Sequence, residues 1–357
     1  MRNSKIYQQV KEYLMQAISS GQMKVGEAIY SENKLCRILK VSRTSVRRAI
    51  RMMVAENVLE SRQGVGTFVR TQSPPRTIAL INYHTRSLRY TDLDRYYMGV
   101  IYGVERRTNE SNCRFEMYSS PIVKPEKVMP QTRHLEADGV VIDGNFQGEF
   151  KSLACFRNAF RACVVIDGNP QETRTASVVP DWESGYRELL TALPPQGSIL
   201  YVYDGSLPRR CWGKQCFFQI LKELGIQYPA LELDYTANVP SDLLHVVARE
   251  YLLFPRLDEI FHQNRFRHIF CGSDRTALLV LEYLKSRKYR VPEDVTVCGL
   301  GGVDFSEAVH PALTTLFVNT EEMGTAAVDL VLSLLAGQQS SNCVCVPVRP
   351  LFRESFC

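Results

Sequence analysis

Residues 31–70, SENKLCRILKVSRTSVRRAIRMMVAENVLESRQGVGTFVR, decide the fold of the N-terminal part. Ser31 reads as the N-cap of a short helix with Leu35, Ile38 and Leu39 as its buried face. Lys40 and Val41 make a turn, and Ser42 caps a second helix that runs to about Glu56. At about 100° per residue, Val46, Ala49, Ile50 and Met53 fall within an arc of roughly 100°. Arg43, Thr44, Arg47, Arg48 and Arg51 share an arc of roughly 140° on the other side. Val58 to Arg62 and Thr67 to Arg70 then read as a hairpin. Its tip, Gln63-Gly64-Val65-Gly66, holds glycines that tolerate positive φ and close approach to a ligand. The pattern is a winged helix-turn-helix, an α+β fold. A run of charge on a helix is usually a solvated surface. Here the arginines lie opposite the apolar stripe, have no acid interleaved among them and precede the glycine-tipped hairpin. A helix of this kind suits the major groove of duplex DNA, where arginine reads guanine and further guanidiniums hold phosphates.

Charge is distributed accordingly. The chain of 357 residues has a net charge of +5, but residues 1–72 hold 13 Lys and Arg against 5 Asp and Glu, and the remainder holds 30 against 33. The basic part is the part with the helix pair, as phosphate binding requires. The slightly acidic remainder is expected to take a partner other than nucleic acid. Eleven cysteines are an odd number with no CxxC, and most lie in apolar runs, so reduced core thiols are expected rather than disulfides or zinc. The six histidines, at 84, 134, 245, 262, 268 and 310, show no metal spacing. No leader pattern opens the chain and no run is long enough to span a membrane, so a cytoplasmic protein is expected.

The rest of the chain fixes the organisation. Residues 4–20 form a helix that completes the core under the helix pair. TQSPPR (71–76), with two prolines among polar residues, reads as a semi-rigid linker. The expected domains are therefore 1–70, the linker 71–76, and 77–357. From Thr77, short apolar strands alternate with helices: TIALIN (77–82), RFEMYS (114–119), DGVVIDG (138–144), ACVVID (162–167), SILYVY (198–203), ALELDY (230–235), RHIFCG (267–272), DVTVCG (294–299), LTTLFV (313–318) and VCVPVR (344–349). The helices between them are expected near 95–111, 125–135, 148–160, 182–193, 209–224, 241–262, 274–287 and 321–335. Such alternation gives parallel sheets covered on both faces, here two doubly wound lobes with a cleft beyond the carboxyl ends of the strands.

Two family resemblances follow from these residues. From Tyr7 to Val69 the chain resembles the winged-helix domain of the GntR (gluconate-repressor) family, most specifically in VSRTSVRRAI followed by QGVGTFV. The resemblance implies operator contacts from Arg43, Thr44, Arg47 and Gly64, with Gln63 at the wing tip. Ser42, Arg48 and Arg51 lie on the same exposed side and join the candidate set. Asn33 stands where that family often has a basic residue, and Lys34 can replace it only from a different angle, so the operator sequence is expected to differ. From about Thr77 to Ser355 the chain is similar to the effector domain of the LacI/GalR family. CGSDRTALLVLEYLKSRKYRVPEDVTVCGLGG, HPALTTL, EEMGTAAVDLVLSLL and the RES at 353–355 carry that likeness. It implies a two-lobed, periplasmic-binding-protein-like domain that dimerises and binds a sugar.

Carried over by position, the ligand contacts are Asn82, Tyr83 and His84 after the first strand, Tyr96 and Tyr97 before the first long helix, Asp167, Ser273 and Asp274. Two positions depart from the family: Cys211 stands where an arginine is usual, with Arg210 one place off, and Gly301 replaces an aspartate. Tyr83, Tyr96, Trp182, Asp167, Arg210 and Asp274 still supply the rings and hydroxyl partners that a sugar needs. Core packing is the competing role for each aromatic, and a helix N-cap is the competing role for Asp274.

No nucleophile elbow, phosphate loop or cofactor fingerprint is present in the sequence, and no cofactor is expected. The reading is a homodimeric regulator, expected to be a repressor of a carbohydrate-use operon, with operator DNA and a small-molecule effector as partners. A small-metabolite enzyme with a DNA-binding autoregulatory head is the rival. A free-standing solute receptor is the third possibility, opposed by the basic head.

Overall fold

A computed structural model describes residues 2–70, 75–82, 92–119, 125–132, 135–144, 153–168, 175–193, 197–205, 208–239, 248–338 and 342–356. The chain divides into two compact units, Met1–Arg76 with Asn112–Arg114, and Thr77–Ser111 with Phe115–Cys357. Of the expected linker, residues 71–74 lie outside the described residues.

The first unit holds α1 (Arg2–Ser19), α2 (Glu32–Leu39), α3 (Arg43–Ala55) and the hairpin β1 (Leu59–Arg62) and β2 (Gly66–Val69). Its core joins Val10, Leu14, Ala17 and Ile18 of α1 to Leu35, Val46, Ala49, Ile50 and Met53, closed by Val58, Leu59 and Val69. Each of the Val, Leu, Ile and Met side chains among them contributes about 1.5–3 kcal/mol by leaving water. Three helices and a hairpin thereby share one apolar centre, and the polar faces are left outside. Ile38 is a correction. It is 42% exposed, whereas Leu35 is fully buried and Leu39 packs partly against the core. A two-turn helix buries only the i, i+4 pair, and Ile38 lies about 60° off that stripe. Lys40, at φ 54°, ends α2 in the left-handed conformation and turns the chain toward Ser42. Arg62 pairs with Gly66 across the hairpin, and Gly64 at φ 74° makes its tip possible.

The second unit has two six-stranded sheets. The first lobe holds β3 (Thr77–Asn82), α4 (Asp92–Glu110), β4 (Arg114–Ser119), α5 (Pro125–Thr132), β5 (Gly139–Asp143), α6 (Ala154–Ala159), β6 (Ala162–Ile166) and β7 (Ala176–Pro180). The second holds α7 (Trp182–Thr191), β8 (Ile199–Tyr203), α8 (Pro208–Glu223), β9 (Ala230–Asp234), α9 (Arg249–Gln263), β10 (His268–Cys271), α10 (Asp274–Ser286), β11 (Thr296–Gly301), α11 (Phe305–Ala308) and β12 (Thr314–Val318). The chain then returns through α12 (Thr320–Leu335) and β13 (Cys343–Val346) to the first lobe, and ends in β14 (Val348–Leu351) in the second. Strand order is β13-β7-β6-β5-β3-β4 in one sheet and β14-β12-β11-β10-β8-β9 in the other. The central strands β3, β5, β6, β8 and β10 are buried throughout, as parallel strands covered on both faces must be. The end strands β4 and β9 are partly exposed.

Three details differ from the sequence reading. Strand β7 has no counterpart there, because ASVVP is short and small-residued and ends in proline. VCVPVR is two strands in two sheets, since Pro347 between them has no N–H for a ladder. The helix expected over 241–262 is described from Arg249, and 240–247 lie outside the described residues.

The described chain passes between lobes at Asp181, Asn319 and Pro347. Two of these passages are also helix caps. Asp181 accepts the Ser184 N–H at 3.1 Å, and Asn319 accepts that of Glu322 at 3.2 Å. The Asp181 N–H in turn donates to the Val346 carbonyl at 2.8 Å, so the first and third passages are tied together. No described helix is long and apolar enough to cross a membrane.

Candidate functional site

Helix α3 carries the expected reading face. Ser42 caps it by accepting the Ser45 N–H at 3.2 Å. Val46, Ala49, Ile50 and Met53 are buried, while Arg43, Thr44, Arg47, Arg48 and Arg51 are exposed. Gln63 and Gly64 are exposed at the wing tip. The arginines are not equivalent. Arg43 and Arg47 both reach Glu32 of α2: Arg43 Nε donates at 2.7 Å, and Arg47 Nε donates to both carboxylate oxygens at 3.0 Å. The Arg43 hydrogen bond, opposed by desolvation and helped by Arg47, holds the Glu32 carboxyl below its ordinary range. Arg48 instead lies over the Tyr7 ring at 4.6 Å, and Lys34 over the Tyr30 ring at 3.6 Å. Glu32 was not singled out in the sequence. The acid absent from α3 is supplied by the neighbouring helix, and only the three-dimensional turn brings it there.

The second candidate site is the cleft between the lobes of the second unit. The lobes stand close together here, leaving a free cavity of about 30 Å³, room for about two waters, lined by Tyr96, Asp167, Trp182, Tyr201, Gly213, Gly272, Ser273, Leu300, Gly301 and Val303. Tyr96 on α4 and Asp167 after β6 come from the first lobe, and Tyr201 to Val303 from the second. Asp167 is buried in the left-handed region at φ 63°, a conformation that aspartate tolerates better than most residues. Trp182 is buried at the first passage, and its indole N–H has no hydrogen-bond acceptor among the described residues. Asn82 is 1% exposed at the carboxyl end of β3, in the same sheet as the strand that leads to Asp167. Neither atom of its amide is partnered among the described residues. Behind the cleft the Tyr186 and Tyr201 hydroxyls meet at 3.0 Å, and burial pushes the Tyr186 phenol well above its ordinary range.

The other expected contacts divide. Ser273 lines the cleft, but its hydroxyl caps α10 by accepting the Thr276 N–H at 3.1 Å. Asp274 is fully buried outside the lining: its carboxylate accepts the Thr315 hydroxyl at 2.6 Å and the Val303 N–H at 2.9 Å. The helix cap considered for Asp274 therefore belongs to Ser273, and Asp274 moors the loop after β11 that walls the cleft. Tyr97 packs edge-on against Tyr96 at 5.6 Å and is not in the lining. Tyr83 and His84 lie outside the described residues, and Arg210 is described only as part of the α8 backbone. Gly301, noted in the sequence as standing in place of a family aspartate, does line the cleft, while Tyr201, Leu300 and Val303 were not singled out; for Leu300 and Val303, the position at the carboxyl end of β11 was the available signal. Among the described residues no cluster of three His, Cys, Asp or Glu could hold a metal ion.

Comparison with known proteins agrees with this architecture. Residues 6–69 match the profile of bacterial regulatory proteins of the gntR family, and residues 198–356 that of a periplasmic binding protein-like domain. The chain is 26% identical over 349 residues to the arabinose metabolism transcriptional repressor of Geobacillus stearothermophilus, covering 92% of this chain and 91% of that protein. A LacI family transcriptional regulator from Enterococcus faecium, solved with bound ribose, shares the fold at a TM-score of 0.60 and 18% identity, over 79% of this chain and 99% of that one. The lac repressor dimer bound to operator and an anti-inducer does so at a TM-score of 0.63 and 16% identity, over 79% and 94% of the respective chains. This chain thus joins a GntR-family helix-turn-helix domain to a LacI-like periplasmic-binding-protein domain, and it is a transcriptional regulator.

Proposed function

We propose that this regulator represses a carbohydrate-use operon and is released by a neutral sugar held between the lobes. A homodimer is the proposed working form: two winged helices meet the halves of a palindromic operator, and the second unit supplies the dimer contact. Arg43 and Arg47 on α3 are the proposed base readers. Arg51, Arg48, Ser42, Thr44 and Lys34 hold phosphates, and Gln63 and Gly64 enter from the wing.

The observation that carries the effector half is the pair of buried, unsatisfied groups, the Asn82 amide and the Trp182 indole N–H. Leaving such groups dry costs about 1–3 kcal/mol each, and a ligand rich in hydroxyls would recover it. Tyr96, Trp182 and Tyr201 offer apolar faces to ring C–H groups, and the Asp167 carboxylate accepts hydroxyls. The arabinose repressor relative and the ribose-bound neighbour support a sugar of pentose or hexose size. Sugar binding would favour closure about Asp181, Asn319 and Pro347. Closure would change the spacing of the two DNA heads through TQSPPR, a coupling of about 1–3 kcal/mol. A calorimetric screen of free pentoses, hexoses and disaccharides against the whole chain tests this. Saturable binding of at least one without turnover is expected; turnover of a sugar, or no binding across the screen, would refute the assignment.

A further inference from the structure

Cys343 and Cys345 lie outside both sites. They stand two apart on β13, the end strand of the first lobe's sheet, which among the described residues pairs only with β7. Side chains two apart on a strand point to the same face, so the two thiols share one. The two thiols are close enough to influence one another, and neither is in a disulfide. Cys345 is exposed and Cys343 half-buried. Burial, with Cys345 close by, pushes the Cys343 thiol up to about 11. One thiol is therefore open to solvent and the other is held as the protonated form beside it.

We propose that Cys343 and Cys345 form a two-thiol modification site that a hydroperoxide converts to an intrastrand disulfide. The Cys345 thiolate attacks the peroxide, the O–O bond breaks, and alkoxide or hydroxide leaves. Sulfur is oxidised by two electrons to the sulfenic acid and the peroxide is reduced by two. Cys343 then loses its proton and attacks that sulfur. The S–S bond forms, the S–O bond breaks, and the hydroxide that leaves takes up a proton as water.

Extended strand sets Cα atoms two apart at about 6.6 Å, the upper edge of what a disulfide spans, so closure shortens the strand. A strand at the end of its sheet can yield in this way. The next residue, Val346, gives its carbonyl to the Asp181 N–H at 2.8 Å, and Trp182 of the cleft follows directly. Shortening β13 therefore pulls on the tie between the first and third passages. The effect on the cleft rests on the proposed effector site; the formation of the bond does not.

The test treats the reduced whole chain with one equivalent of hydrogen peroxide, then alkylates and digests it. The peptide containing both residues is expected to lose two hydrogens, escape alkylation and recover on reduction. In Cys343→Ser the remaining Cys345 should stop at a sulfenic acid that a dimedone probe captures, and in Cys345→Ser the remaining Cys343 should stay reduced. A peptide that stays alkylatable, runs on to sulfinic acid in the unaltered chain, or pairs with a different cysteine overturns the proposal. A bond that forms without changing sugar affinity overturns only its link to the cleft.

Discussion

The Arg47 guanidinium spans both carboxylate oxygens of Glu32 at 3.0 Å, across the turn that separates α2 from α3. The same acid holds Arg43, so the two side chains proposed as base readers are already oriented in the unbound protein. Replacing Glu32 by Gln should loosen both. Random duplex should then be bound more tightly, operator no more tightly, and the ratio of the two affinities should fall. Because Arg43, the largest influence, lowers the Glu32 carboxyl, the ion pair stabilises the fold above the ordinary glutamate range. That contribution is lost as pH falls through the lowered folded value. Both partners are partly exposed, so the effect is small. Urea midpoints of parent and Glu32→Gln should therefore converge in acid and separate towards neutral pH.

Arg47→Ala should weaken operator binding by about 1–3 kcal/mol and relax preference at one base pair of each half-site, as loss of a base-reading contact does. A filter or anisotropy titration on single-base operator variants measures both. A uniform loss across all variants would make Arg47 a phosphate contact instead.

Helices α4 and α12 cross at glycines. A Cβ on Gly103 would stand 2.1 Å from the Glu321 carbonyl oxygen, and one on Gly324 would stand 2.3 Å from that of Val100. Backbone cannot give way as a flexible side chain can, so Gly103→Ala should destabilise by about 1–3 kcal/mol. Tyr96, whose hydroxyl reaches the Met323 sulfur at 3.5 Å across the same crossing, should shift with it. Denaturant unfolding gives the first quantity. Sugar affinity relative to the parent gives the second, and it should drop.

Asp274 is a mooring, and its removal should read as a stability change. Asp274→Ala leaves the Val303 N–H and the Thr315 hydroxyl without their buried acceptor, at a cost of about 2–5 kcal/mol in total. A midpoint near that of the parent, with sugar binding abolished, would instead make Asp274 a ligand contact.

How far the sequence spoke depended on the range of the interaction. Periodicity placed α1, α2, α3 and the alternating strands, because each buries its own stripe or run. The wing was legible from Gly64 and Gly66, whose backbone conformations other residues resist. What escaped was set by distant neighbours. Glu32 meets Arg47 from another helix, Tyr201 faces the cleft only because the lobes oppose, and Pro347 divides two strands between two sheets. Asp274 illustrates the ambiguity best: an aspartate at a helix start could cap, bind or moor, and its partners Val303 and Thr315 lie 29 and 41 residues away.

The central claim is that occupancy of the cleft controls the grip on DNA. The direct measurement is the affinity of the whole chain for a duplex from its own promoter region, with and without saturating sugar from the calorimetric screen, in the parent and in Asp167→Asn. Asparagine accepts the φ of 63° at this position, so the variant removes the charge and keeps the backbone. The account predicts that sugar weakens the parent's DNA binding by about 5–150-fold, and that Asp167→Asn binds DNA as tightly but responds at least tenfold less sensitively to sugar. DNA affinity indifferent to bound sugar in the parent would contradict it.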